Sequence, residues 1–155
     1  MKKDTTAPAL QVTLTREARS APRIRTGGHA GAALQPIPEA FGAAATWSLK
    51  LPQALDRRAE DVLLELDFVG DIGRLFAGTR LLDDWYYNGQ RWQVGLRQFA
   101  LQPGAELRLS VLPLRADAPI YIDAAHRPAF AAGQTQVAEL RGARLLPIRH
   151  VVITP

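Results

Sequence analysis

There is no cysteine anywhere in the chain. That one absence removes disulfides, zinc–thiolate centres and thiol nucleophiles together, and it leaves the compartment open. No apolar run approaches the roughly 20 residues that a membrane-spanning helix requires, so no membrane contact is expected. The start, MKKDTTAPAL, has two lysines but no apolar stretch behind them, so it does not read as a signal peptide. Charge of one sign is also thin. The net charge is +4, and the arginines that carry most of the positive side scatter from Arg16 to Arg149 without forming a stripe. Nucleic-acid binders concentrate their basic residues on one face or arm, so no nucleic-acid partner is expected. His29, His126 and His150 are isolated from one another and from any hydroxyl in nucleophile context. The glycine-containing stretches TGGHAG and GQTQ have neither phosphate-loop spacing nor a following helix. Nothing calls for a cofactor.

What is present is apolar alternation. With 155 residues and 47% hydrophobic content the chain is one domain's worth of buried core. Leu10, Val12 and Leu14 share one side of an extended segment, as do Trp47, Leu49 and Leu51. Val62, Leu64, Leu66 and Phe68 form a third set and Leu107, Leu109 and Val111 a fourth. A period of two over five to eight residues predicts half-buried strands. Turn signals punctuate these runs: Val69–Gly73, Ala77–Thr79, Asn88–Gly89 and Gln102–Gly104. Asn88–Gly89 lies between alternating segments and predicts a type I′ hairpin. Helix is expected for one turn at most, near Gln53–Arg58. A short edge strand is expected around Ile120 and Ile122, and the terminal strands are expected to be interrupted at Pro147.

The expected fold is therefore all-β, a two-sheet antiparallel sandwich of jelly-roll type. Residues 1–8 are expected to be a disordered start, or one joined ahead of a domain cut from a longer chain. Residues 9–155 are the sandwich, with long irregular connections near 16–44 and 115–135, where Gly, Ala and Pro break the period.

Chemistry-bearing groups are few. Asp67, Asp71, Asp83 and Asp84 supply oxygen ligands but not the loop pattern of a calcium site, so Asp71 is read as a turn residue and the others as sheet-edge residues. Glycoside hydrolysis needs two carboxyls flanking one bond, and no pair here sits in a cleft-forming motif. The densest inventory is DDWYYNGQRWQVGL, Asp83 to Leu96. Trp85, Tyr86, Tyr87, Asn88, Gln90 and Arg91 offer ring faces and hydroxyl-reading groups around one turn, and they are the candidate contacts for a glycan or a neighbouring domain. Alternation divides them: Trp85 and Tyr87 share a face, Tyr86 takes the other, and Trp92 leads an inward set with Val94 and Leu96.

The run LLELDFVGDIGRLFAGTRLLDDWYYNGQRWQVGL, followed by LRLSVLPLRADAPIYID, resembles the C-terminal accessory region of family 35 glycoside hydrolases, the β-galactosidase-like enzymes. Gly70–Asp71, Arg74–Leu75, Gly78, Leu82, Asp84, Tyr86 or Tyr87, Asn88–Gly89, Trp92, Gly95–Leu96 and the PLRADAPIYI segment carry the likeness. AATWSLKLP is similar to the entry strand of such a region. The resemblance implies a galactose-binding-like sandwich appended to a catalytic barrel, with that barrel and galactoside-type glycans as partners. A barrel of that kind takes well over 200 residues, so no catalytic residue transfers to this sequence. The expected role is non-catalytic bracing or docking on the barrel, with weak glycan binding besides. A dedicated carbohydrate-binding module is the first alternative and a small free-standing enzyme the last.

Overall fold

The structure, a computed structural model, describes residues 9–55 and 59–153. The expected start, residues 1–8, lies outside them. Twelve strands follow one another: β1 (Gln11–Arg16), β2 (Thr26–Gly27), β3 (Ala32–Ala33), β4 (Ala45–Lys50), β5 (Asp61–Val69), β6 (Ile72–Ala77), β7 (Arg80–Tyr86), β8 (Trp92–Gly95), β9 (Glu106–Leu112), β10 (Leu114–Arg115), β11 (Gln136–Val137) and β12 (Glu139–Ile148). A five-stranded sheet runs β1-β4-β9-β6-β7 and a three-stranded sheet runs β12-β5-β8. All pairings are antiparallel. Among the described residues helix is confined to two 3-10 turns, Pro38–Ala43 and Arg97–Phe99. The chain is an all-β sandwich.

Alternation places the core between the two sheets. Val62, Leu64, Leu66 and Phe68 of β5 are all buried, facing Leu107, Leu109 and Val111 of β9 and Trp47 and Leu49 of β4. Trp92 fills the middle, fully buried as its alternation predicts. Its ring meets Phe68 edge-on at 6.1 Å, and its Nε1 donates to Asp83 Oδ2 at 3.0 Å. A buried indole N–H needs such a partner, so Asp83 serves the core and not the surface.

Several expectations change. β1 forms where the alternation puts it, but Val12 and Leu14 are 43% and 44% exposed. They lie opposite Leu49 and Trp47 and face the core side, at an edge left uncovered. No strand forms at Ile120 and Ile122; Ile122 packs instead with Val69, Leu114, Ala118 and Val137 in a second small cluster. Pro147 does not interrupt β12, because β12 is an edge strand whose proline needs no partner on its open side. Gln53–Leu55 is not helical, and the rest of that expected turn lies outside the described residues.

The largest correction concerns DDWYYNGQRWQVGL. It is not a hairpin: β7 pairs with β6 in the large sheet and β8 pairs with β5 in the small one. The segment carries the chain from one layer to the other. Of Asn88 and Gly89 only Gly89 has positive φ, 84°, so the turn is not type I′. A Cβ on Gly89 would stand 2.2 Å from that of His126, which closes the position to any other residue. The return crossing at Gly70 is equally tight. A Cβ there would meet Val111 Cγ1 at 2.4 Å, so glycine lets the chain pass against β9.

The irregular connection of residues 16–44 covers one end of the large sheet's outer face. Pro38 starts its 3-10 turn with φ already fixed, and Ile37 before it is extended as a residue preceding proline must be. Ala40 and Ala43 are small enough to sit close on Leu112 and Ala21. This places Phe41 beside the outer surface of β6.

Candidate functional site

The six candidate contacts do not converge. Tyr86 stands on the large sheet's outer face, 53% exposed. Trp85 turns inward against the core rim, where its Nε1 finds no acceptor. Tyr87 is half-buried, edge-on to Phe68 at 6.0 Å, and its hydroxyl donates to the His126 carbonyl at 2.9 Å. Burial pushes its phenol pKa up. Asn88 Oδ1 accepts from the backbone N–H of Gln90 at 2.9 Å, so its side chain shapes the turn. Gln90 is exposed at the tip. Arg91 has already crossed to the outer face of the small sheet.

There Arg91 joins a closed polar cluster. Glu65 of β5 is buried and accepts from Gln93 Nε2 at 2.7 Å, Arg144 Nη2 at 2.7 Å and Arg91 Nη1 at 3.2 Å. The Gln93 hydrogen bond, then those of Arg144 and the charges of both arginines, hold its carboxyl below the ordinary range against the opposing cost of burial. Three strands are thereby cross-linked through one acid: β12 by Arg144, β5 by Glu65, β8 by Gln93, with Arg91 just ahead of β8. A depression of about 270 Å³ lies here, lined also by Asp67 and Arg141. Three arginines and two acids line it, and Arg141 also pairs with Glu139, so its charge is largely compensated.

The outer face of the large sheet is built differently. Register puts Arg16, Thr46, Ser110, Arg74 and Asp84 in one row across all five strands, with Ser48, Arg108 and Phe76 in the next. A depression of about 310 Å³ opens among Arg16, Phe41, Thr46, Arg74, Phe76, Arg108 and Ser110. The Arg74 guanidinium lies 3.7 Å over the Phe41 ring centroid and that of Arg108 4.6 Å over Phe76. Arg16 donates to the Ala44 carbonyl at 2.9 Å and the Phe41 carbonyl at 3.2 Å, which fixes the turn that delivers Phe41. The arginines therefore do gather, on a face that only strand pairing assembles.

A third feature lies under the 16–44 connection. A cavity of about 80 Å³ is walled by apolar groups such as Ile24, Leu34, Ile37 and Leu112, with Asp71 and Arg115 among them. Asp71 is the buried residue of the Gly70 crossing. Its backbone N–H donates to the Leu112 carbonyl at 2.8 Å and its carbonyl accepts from Tyr87 N–H at 2.9 Å. Burial alone raises its carboxyl from 3.8 to about 6. Arg115 is committed elsewhere, to Asp117 at 2.7 Å and the Ala21 carbonyl at 2.9 Å. Of the histidines, His150 pairs with Glu60 and His126 lies 3.6 Å from Asp123. Among the described residues no group of three or more His, Cys, Asp or Glu side chains is placed to hold a metal ion.

No protein-family model matches the chain, and no curated protein or solved structure matches it either. The candidate site therefore rests on geometry.

Proposed function

We propose that this chain is a non-catalytic accessory β-sandwich of a carbohydrate-active enzyme, of the type appended to family 35 β-galactosidase-like glycoside hydrolases. We class it with the galactose-binding-like jelly rolls. Its role is to brace or dock on a catalytic barrel, with weak glycan binding as a second capacity. The observation that carries this reading is the uncovered core-side face of β1, where Val12 and Leu14 stand half-exposed beside the buried Leu49 and Trp47. An apolar sheet face continuous with the core is what a neighbouring domain covers. The rings of DDWYYNGQRWQVGL mostly serve the sandwich: Trp92 is core, and Trp85 and Tyr87 pack on its rim.

A dedicated carbohydrate-binding module is the second reading, favoured by exposed Tyr86 and the polar tip at Asn88 and Gln90. An enzyme has least support. Glycoside hydrolysis uses two carboxyls about 5–9.5 Å apart; the cavity beside Asp71 is lined by one, and in the depression with Asp67 the Glu65 carboxyl is taken up by Gln93, Arg144 and Arg91.

The test mixes the chain with a family 35 catalytic barrel stripped of its own accessory sandwich and follows association by sedimentation. We expect a complex that Leu14→Asp prevents. No complex, together with galactose shifting the Tyr86 and Asn88 resonances, would favour the binding module instead. Steady hydrolysis of a chromogenic galactoside, lost on mutating one carboxylate, would make the chain an enzyme.

A further inference from the structure

Among the described residues, two arginines on the large sheet's outer face have no hydrogen-bond or ion-pair partner for their side chains. Several guanidiniums elsewhere are neutralised: Arg91 and Arg144 against Glu65, Arg115 against Asp117, Arg141 against Glu139. Among the described residues Arg74 and Arg108 make no hydrogen bond or ion pair with their side chains, only the stacking on Phe41 and Phe76. Arg74 Nε is also sealed from solvent without an acceptor. Among the described residues no carboxylate lines the depression they share. The nearest acids are placed otherwise. Asp84 stands opposite Arg74 in register without pairing to it, and Glu106 accepts the Ser48 hydroxyl at 2.5 Å.

Stacking fixes what these groups can still do. A ring under the guanidinium plane holds the side chain in one orientation and strips water from that face, while the terminal Nη–H donors, which lie in the plane, are not used by the ring. Arg74 is opposite Ser110, and Arg108 is opposite Phe76, so the two arginines are diagonal neighbours across β6 and β9. Diagonal positions lie about 7–8 Å apart, close enough for two long side chains to reach one small anion. The Ser110 hydroxyl, opposite Arg74 and two residues along β9 from Arg108, adds a donor.

We propose that this tray is an oxyanion site, in which a sulfate, phosphate or carboxylate group receives N–H donors from Arg74 and Arg108. The depression is open to solvent and about 310 Å³ in volume, so it has room for an oxyanion carried on a larger body. Resting on the function proposed above, that body is a sugar, and the ligand is an acidic saccharide such as a sulfated or uronic galactoside.

The experiment titrates the isotopically labelled chain with inorganic sulfate, galactose 6-sulfate, galacturonate and galactose, at low and high ionic strength. We expect the two acidic sugars to shift β6 and β9 amides around Arg74 and Arg108, weakly and less so at high salt, with galactose leaving those amides unmoved. Arg108→Gln keeps the stem and should weaken binding about tenfold or more, the loss of one charged hydrogen bond. Arg74→Gln should do the same, with the melting midpoint of each variant recorded. If Arg74→Gln fails to fold, Arg108→Gln alone decides. Inorganic sulfate binding as well as the sulfated sugar, and equally sensitive to Arg108→Gln, supports the oxyanion site but defeats its saccharide source. Acidic sugars binding both variants as they bind the parent would overturn the site. So would galactose moving only Tyr86 and Asn88 while no anion moves β6 or β9, an outcome that leaves the proposed function standing.

Discussion

The two outer faces of the sandwich use the same side chain in opposite ways. On the small sheet, Arg91 and Arg144 close on Glu65, and the cluster has little left to offer a ligand. On the large sheet, Arg74 and Arg108 rest on phenylalanine rings with their donors unspent. An acid beside an arginine makes a cross-link, whereas a ring beside it makes a presented cation. The surface role of an arginine is thus decided by the group that folding sets against it.

Four changes break or sharpen that contrast. The largest effect comes from Trp92→Ala, which removes the layer both faces rest on. Truncating a fully buried tryptophan should cost about 3–5 kcal/mol through lost burial and a residual cavity. Denaturant titration followed by near-ultraviolet circular dichroism measures it, and an unchanged midpoint would remove Trp92 from the core.

Asp71→Asn acts in the other direction. With its folded pKa near 6, above the ordinary 3.8, the native state holds a proton that the unfolded chain has released. Stability therefore falls as pH rises through that window, and the ionised acid is a burden above it. The amide removes the slope and should raise stability at pH 7 by about 1–3 kcal/mol, at 1.36 kcal/mol per pKa unit. Equal midpoints for parent and variant from pH 4 to 7 (about the window spanned by the shift) would show that Asp71 titrates normally.

Glu65→Gln tests the compensated face. Its carboxyl is held below the ordinary range, so its contribution is present at neutral pH and lost as pH falls through the folded value. The variant should melt earlier than the parent at pH 7, and the gap should close on acidification. A gap that persists in acid would assign the role of Glu65 to packing and not to charge. The smallest effect belongs to Arg108→Gln, whose stability should stay within about 0.5 kcal/mol, as for a surface group with no protein partner. A larger loss would mean that the stack on Phe76 holds the fold together.

The sequence made the central strands legible because their burial is uniform along each run. Val62 to Phe68 and Leu107 to Val111 alternate without a break, and both lie wholly between the layers. β1 alternates equally well, yet its burial depends on how far the small sheet reaches, which no local pattern records. Asn88–Gly89 misled for a similar reason. The dipeptide marks a reversal, but whether the next strand pairs back or changes layer is set by which strand edge is open. The arginine tray left a trace that alternation contains: Arg74 sits between Gly73 and Leu75, and Arg108 between Leu107 and Leu109, so both were bound to point outward. What the sequence hid was that β6 and β9 are neighbours.

The small sheet also sets an order of events. β5 gains β8 on one side soon after it is made, since Leu66 pairs with Trp92 and Leu63 with Gly95. Its other side waits for β12, with Asp61 paired to Ile148 and Val69 to Glu139. Until that last strand leaves the ribosome, β5 presents a row of unpaired amides and carbonyls next to an apolar face. Pairing over such separations places folding in the slow, millisecond-to-second regime of sandwich proteins. During synthesis that open edge is where a second nascent chain would find its easiest wrong partner.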